Sequence, residues 1–166
     1  MFQYQSTTNL SGCFDSKFCN NVQIPNLPLK GPKPFDQILN YIHKAIEDEA
    51  NAADYYSRLL KDAPNKLNQD FIQKAYRDET EHLQIFIKLF CYYTDIEPKY
   101  CVNPIPIPCY KDALLKALIA ELETVEFYRN VQLSTMDQVI IDTFYMVMVD
   151  ELEHATIFST LLATCK

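Results

Sequence analysis

Only two of the 166 residues are glycine. Folds rich in tight turns use glycine for backbone conformations that other residues avoid, so this scarcity points away from all-β architectures and toward long helices. Cationic side chains are also in short supply. Fifteen Lys and Arg stand against 22 Asp and Glu, a formal net charge of −7, which argues against a nucleic-acid partner or an anionic membrane surface. No apolar run approaches the roughly 20 residues needed to span a bilayer. The start, MFQYQSTTNL, has neither a basic segment nor an apolar core of the kind that targets a chain for export, so the expected compartment is the cytoplasm. None of the six cysteines forms a CxxC pair, which excludes zinc-ribbon and rubredoxin-type sites. In a reducing compartment they are expected to be thiols. In an oxidising one, Cys13 with Cys19 and Cys101 with Cys109 are the candidate pairs.

The chain is long enough to bury a core, and a single compact unit of this size is ordinary. Residues 1–34 carry four prolines and no sustained period, so they read as an extended arm. The texture changes at Phe35. Ile38, Ile42, Ala45, Glu49, Ala52, Tyr56 and Leu59 follow a 4-3-4-3-4-3 spacing, one face of a long helix with a glutamate in its middle. Pro64 and Asn65 close it. A second helix is predicted over residues 68–93, with the stripe Ile72, Ala75, Glu79, His82, Phe86 and Leu89.

Four prolines interrupt residues 94–110, which cannot be helical throughout. Near polyproline geometry these residues cover roughly 50 Å at about 3.1 Å each. That exceeds the roughly 37 Å length of a 25-residue helix, so the segment can cross the full height of a bundle. A third helix is predicted over 110–133, with the stripe Leu114, Ala117, Glu121, Thr124, Tyr128 and Val131. A fourth is predicted over 136–164, with Phe144, Val147, Glu151, His154, Phe158 and Leu161. Ser134 and Thr135 break the chain between them, and either could cap the fourth helix. Two short loops around one long crossover give an all-α four-helix bundle over residues 35–166.

The second half repeats the first. At an offset of 72 residues, Lys44-Ala45 meets Lys116-Ala117, Glu49 meets Glu121, and Tyr56 meets Tyr128. The string DETEH at 78–82 meets DELEH at 150–154, and Ile85-Phe86 meets Ile157-Phe158. One glutamate three residues before a histidine carries little weight in an acidic chain. Two such pairs, at the offset that also relates two further glutamates and two tyrosines, mark a duplicated helix–loop–helix unit.

Glutamate and histidine three apart on a helix leave by the same face. In both halves that face is the apolar stripe, and Glu49 and Glu121 interrupt stripes of their own. Four carboxylates and two imidazoles therefore converge on one interior. Burying them unpaired is costly, and two divalent cations would balance the four negative charges. Carboxylate and imidazole donors suit iron or manganese, and zinc less specifically. The expected arrangement gives Glu49 and His82 to one metal and Glu121 and His154 to the other, with Glu79 and Glu151 bridging. Asp78, Glu81, Asp150 and Glu153 lie off the stripes and read as solvated surface, with Asp78 and Asp150 alternatively bonding the histidine of the opposite half. Tyr56 and Tyr128 read either as core tyrosines or as phenols bonded to a ligand carboxylate. His43 reads as a surface or interface histidine.

Glu49, Glu79-Thr-Glu-His82, Glu121 and Glu151-Leu-Glu-His154, with the long crossover, resemble the ferritin-like di-iron carboxylate superfamily, and within it the rubrerythrin-like branch. The resemblance covers roughly residues 35–164. It implies two metal ions per chain, iron first, with redox activity on peroxide or dioxygen, an external electron donor, and a homodimer. It gives Tyr56 and Tyr128 a catalytic part as donors of a proton or hydrogen bond. The chain departs from rubrerythrins in lacking a CxxC-bearing rubredoxin domain. It also carries Thr124 where those proteins have an extra carboxylate, one turn after the third helix's ligand. The alternatives are a manganese catalase-like enzyme, or a non-enzymatic metal-binding or coat-type protein on the same scaffold.

Overall fold

The computed structural model describes residues 32–107 and 109–165. Apart from Pro32, Lys33 and Pro34, the arm expected over 1–34 lies outside the described residues. The chain forms α1 (Phe35–Leu59), a single 3-10 turn (Leu60–Asp62), α2 (Lys66–Thr94), α3 (Tyr110–Gln132) and α4 (Gln138–Thr164), with no strand among the described residues. This is the all-α four-helix bundle that the periodicity predicts. No helix is long and apolar enough to cross a membrane. Cys91, Cys101, Cys109 and Cys165 are free, whereas Cys13 and Cys19 lie outside the described residues.

The helices pair as duplicated units. α1 packs along α2 and α3 along α4, and the two pairs meet through α2 with α4 and α1 with α3. The apolar stripes form two separate clusters. One gathers Ile42, Phe86, Leu89, Tyr128 and Phe144, where the Phe86 and Phe144 rings lie 4.9 Å apart. The other gathers Tyr56, Leu59, Ile72, Leu114 and Phe158. The glutamates and histidines occupy the layer between them, so apolar packing at both ends fixes their height.

The crossover is held by side chains of α1. The His43 ring meets the Lys99 carbonyl at 2.9 Å through Nε2, Asn51 Oδ1 accepts from the Asn103 N–H at 2.7 Å, and Arg58 donates to the Ile105 carbonyl at 2.9 Å. His43 is thus half-buried against the crossover, the interface alternative of the two readings.

The cap of α4 differs from the expectation. Neither Ser134 nor Thr135 caps it. Asp137 does, its Oδ1 accepting from the backbone N–H of Val139 at 2.9 Å and of Ile140 at 3.4 Å. Ser134 instead donates back to the Asn130 carbonyl, closing α3, and Thr135 Oγ1 accepts from the Asp137 N–H. The repeat held the signal: Asp137 lies 72 residues after Asn65, whose side chain caps α2 by accepting from Asn68. Asp137→Ala is expected to cost about 1 kcal/mol, read by denaturant unfolding.

The two halves differ on their outer faces. Leu115, Ile119 and Leu122 on α3, and Tyr145, Val149 and Leu152 on α4, are exposed. Their counterparts in α1 and α2 are His43, Glu47, Ala50, Gln73, Arg77 and Thr80. The duplication kept the inward stripes and diverged outside.

Candidate metal centre

Each predicted ligand sits near the middle of its helix: Glu49 on α1, Glu79 and His82 on α2, Glu121 on α3, Glu151 and His154 on α4. None is more than 3% exposed, so bulk water cannot solvate them. They assemble into two groups. Glu49, Glu79, His82 and Glu151 form one, and Glu79, Glu121, Glu151 and His154 form the other. Within each group one donor atom per residue lies within 4.8 Å of the others, and either group could hold a metal ion. Glu79 and Glu151 belong to both.

The histidine geometry fits metal binding through Nδ1. His82 Nδ1 lies 3.2 Å from Glu151, 3.5 Å from Glu79 and 3.7 Å from Glu49. His154 Nδ1 lies 2.9 Å from Glu79, 3.3 Å from Glu151 and 3.9 Å from Glu121. Glu79 Oε1, Glu151 Oε1 and His82 Nδ1 nevertheless have no aligned hydrogen-bond partner. Buried polar atoms that crowd together without pairing are directed at a point between them, which is what a shared cation would occupy. The donor set of hard carboxylates and imidazoles fits such an ion.

The outer nitrogens are held from across the molecule. His82 Nε2 meets Asp150 at 3.2 Å, and His154 Nε2 meets Asp78 at 3.2 Å. Asp78 and Asp150 therefore follow the second of the two readings rather than standing as solvated surface. A proton on Nε2, bonded to aspartate, leaves the Nδ1 lone pair for the centre. Glu81 and Glu153 are exposed, and Glu153 pairs with Lys74 at 3.0 Å. Lys74 also holds Asp78 at 2.6 Å. The counterpart of Lys74 is Met146, so Asp150 has no such anchor and its side chain is 41% exposed against 15% for Asp78. The two ends of the centre are thus inequivalent.

Tyr56 donates to Glu121 and Tyr128 donates to Glu49, each phenol reaching into the other half. Burial first, and the neighbouring carboxylates second, push both phenols well above their ordinary pKa. They remain protonated and act as donors.

The centre holds protons in the absence of a cation. Burial and then the charges of Glu151 and Glu49 raise Glu79, and burial with the charges of Glu79 and Glu151 raises Glu121. Burial works against the imidazolium, but the Glu151, Glu49 and Glu79 carboxylates crowded within 3.7 Å of Nδ1 outweigh it at His82, and the hydrogen bonds to Glu151 and Asp78, with the charges of Glu121 and Glu151, outweigh it at His154. Glu151 runs the other way, because hydrogen bonds from His154 and His82 overcome its burial and hold it ionised. Each proton on a ligand atom has to leave before a metal takes its place. Loading near neutral pH is therefore expected to release protons, and metal affinity to fall as pH falls. Calorimetry in buffers of different ionisation enthalpy measures the release.

Two stripe positions are only half-buried, Ala52 and Thr124. They are repeat equivalents, and they mark where α1 and α3 part. A cleft of about 430 Å³ opens between these helices, and Asp48, Ala52 and Thr124 line both it and the small cavity against Glu49, Glu79, Glu121 and Glu151. The stripes did not reveal this opening. The signal available was the small size of both residues at equivalent positions.

No protein-family model matches the chain, and no curated protein matches it. Among solved structures, the conserved hypothetical protein Rv2844 from Mycobacterium tuberculosis is similar at a TM-score of 0.70 and 14% identity, over 80% of this chain and 96% of that one. A two-domain protein from Anabaena variabilis, with DJ-1/ThiJ/PfpI-like and ferritin-like domains, is similar at a TM-score of 0.65 and 10% identity. That match covers 81% of this chain and 38% of the other. At such identities the likeness is one of fold. One of these neighbours contains a ferritin-like domain, and the buried glutamate and histidine groups of this chain could hold a metal ion.

Proposed function

We propose that the chain is a dimetal carboxylate oxidoreductase acting on hydrogen peroxide or dioxygen, with iron as its metal and electrons from an external donor. The observation that carries this reading is the sharing of Glu79 and Glu151 between two buried donor groups. Two overlapping donor groups with shared carboxylates are an arrangement suited to a pair of adjacent ions. Bound there, a pair of redox-active ions supplies electrons and open coordination positions for a small oxygen ligand.

The protein's part is positioning and proton handling. Glu49 with His82, and Glu121 with His154, would hold the two ends, with Glu79 and Glu151 available to both. Asp150 and Asp78 orient the imidazoles. Tyr56 and Tyr128 hold a proton against Glu121 and Glu49, within one hydrogen bond of the centre. In the rubrerythrin-like reading Thr124 leaves a hydroxyl where the relatives carry a carboxylate. A manganese, catalase-like site is the variant with the same donors. A second copy of the chain would cover the apolar outer face of α3 and α4 as a homodimer. Sedimentation at the mass of one chain would count against that assembly.

The test is to load the purified chain anaerobically with ferrous iron, then mix it with peroxide or oxygen and follow the optical spectrum. Rapid oxidation with consumption of peroxide or oxygen is the expected result. Full metal loading with neither consumed would turn the reading to a non-enzymatic metal-binding protein.

A further inference from the structure

The cleft between α1 and α3 is built on the repeat axis. Its walls pair at the 72-residue offset: Lys44 with Lys116, Asp48 with Ala120, Tyr55 with Phe127, and Ala52 with Thr124 on the floor. Ile105 of the crossover roofs it, fixed through its carbonyl by Arg58. At about 430 Å³ it falls in the size range of organic ligand pockets. Peroxide and dioxygen are close in size to water, whose share of liquid volume is only about 30 Å³. The cleft is far larger than either oxidant needs.

Its chemistry is divided. Tyr55, Phe127, Ile105 and the alanines give an apolar interior beside the carboxylate cluster. At the mouth, Lys44 is paired with Asp48 one turn along and leans over the Phe127 ring, 5.0 Å from its centroid. Lys116 is the equivalent ammonium, but the position one turn along is Ala120, so the duplication kept the lysine and lost its carboxylate. Lys116 forms no ion pair among the described residues. Glu123 also lines the mouth and would repel an anion from its own side.

We propose that the cleft binds a ring-sized organic monoanion beside the centre. Its apolar body lies between Tyr55 and Phe127, its head on Lys116, and its inner end over Ala52 and Thr124. This binding stands independently of the oxidoreductase reading above.

Benzoate is the probe, titrated into the full chain by calorimetry with and without reconstituted metal, with metal content measured separately. One site with a Kd of about 1 mM or tighter is expected. Ala120→Leu, which fills the cleft from a helix surface, is expected to weaken binding about tenfold. Ala120→Asp, which gives Lys116 the partner Lys44 has, is expected to weaken it by roughly threefold to fivefold. Benzyl alcohol, the same body without the charge, should bind more weakly than benzoate. No benzoate binding to the wild-type chain, or binding that ignores Ala120→Leu, overturns the proposal. Stronger binding of benzylamine than of benzoate overturns the anionic head. Benzoate binding to a chain that takes up no metal would leave the cleft standing and remove the oxidoreductase reading. Full metal loading without benzoate binding would do the reverse.

Discussion

On the dimetal reading proposed above, Glu79→Ala is expected to take the metal content from about two ions per chain to fewer than one after anaerobic reconstitution, as read by elemental analysis. The size of the effect follows from sharing. Glu79 belongs to both donor groups, so one substitution strips an oxygen from each. At 1% exposure the gap lies beyond the reach of bulk water. His82→Ala touches one group only, and its loss should be smaller. Glu81→Ala, two residues from Glu79 and exposed, should leave metal content unchanged. Glu79→Gln provides an opposite-sign control: burial and two neighbouring carboxylates already resist its ionisation, so the neutral amide should lose metal without destabilising the metal-free chain. Equal metal loss from Glu79→Ala and Glu81→Ala would show that the helix face is misassigned.

On the dimetal reading proposed above, stripping both ions is expected to lower the unfolding midpoint by roughly 10 to 30 °C at free metal 100 to 1,000 times the dissociation constant, as read by calorimetry. A ligand that binds only the folded state at that excess contributes about 3 to 4 kcal/mol per site, and two ions about twice that. The cluster sits between two apolar layers, and without cations its four carboxylates are buried against one another. The protons retained on Glu79 and Glu121 relieve that repulsion only in part. A midpoint that moves by less than about 2 °C on chelation would place the metal outside the bundle core. A loss of midpoint that grows as the pH is raised would fit the same physics, because deprotonation then restores the repulsion.

The helices, their inward faces and the six central donors were legible because each depends on local geometry. A period of 3.6 residues decides which side chains share a face, and a chain with two glycines and a duplicated stripe leaves few alternatives. The 72-residue offset then carried Glu49 to Glu121 and Tyr56 to Tyr128. The same offset would have found the Asp137 cap from Asn65, and the half-open positions Ala52 and Thr124. Those signals lay in the sequence but outside its conspicuous stripes.

Contacts between helices were another matter. Asp78 and Asp150 stand one residue before Glu79 and Glu151, about 100° round the helix. That angle places them at the edge of the inward face, where solvent and the seam with a neighbouring helix are both within reach. Only the packing of α2 beside α4 turns that edge onto the opposite histidine. The reach of each tyrosine into the other half, the anchoring of Asp78 but not Asp150 by Lys74, and the cleft between α1 and α3 are decisions of the same kind. The sequence by itself determined which groups face inward, since spacing along one helix settles that. The tertiary structure alone decided which of them meet, because the distance between two helices depends on side chains from both.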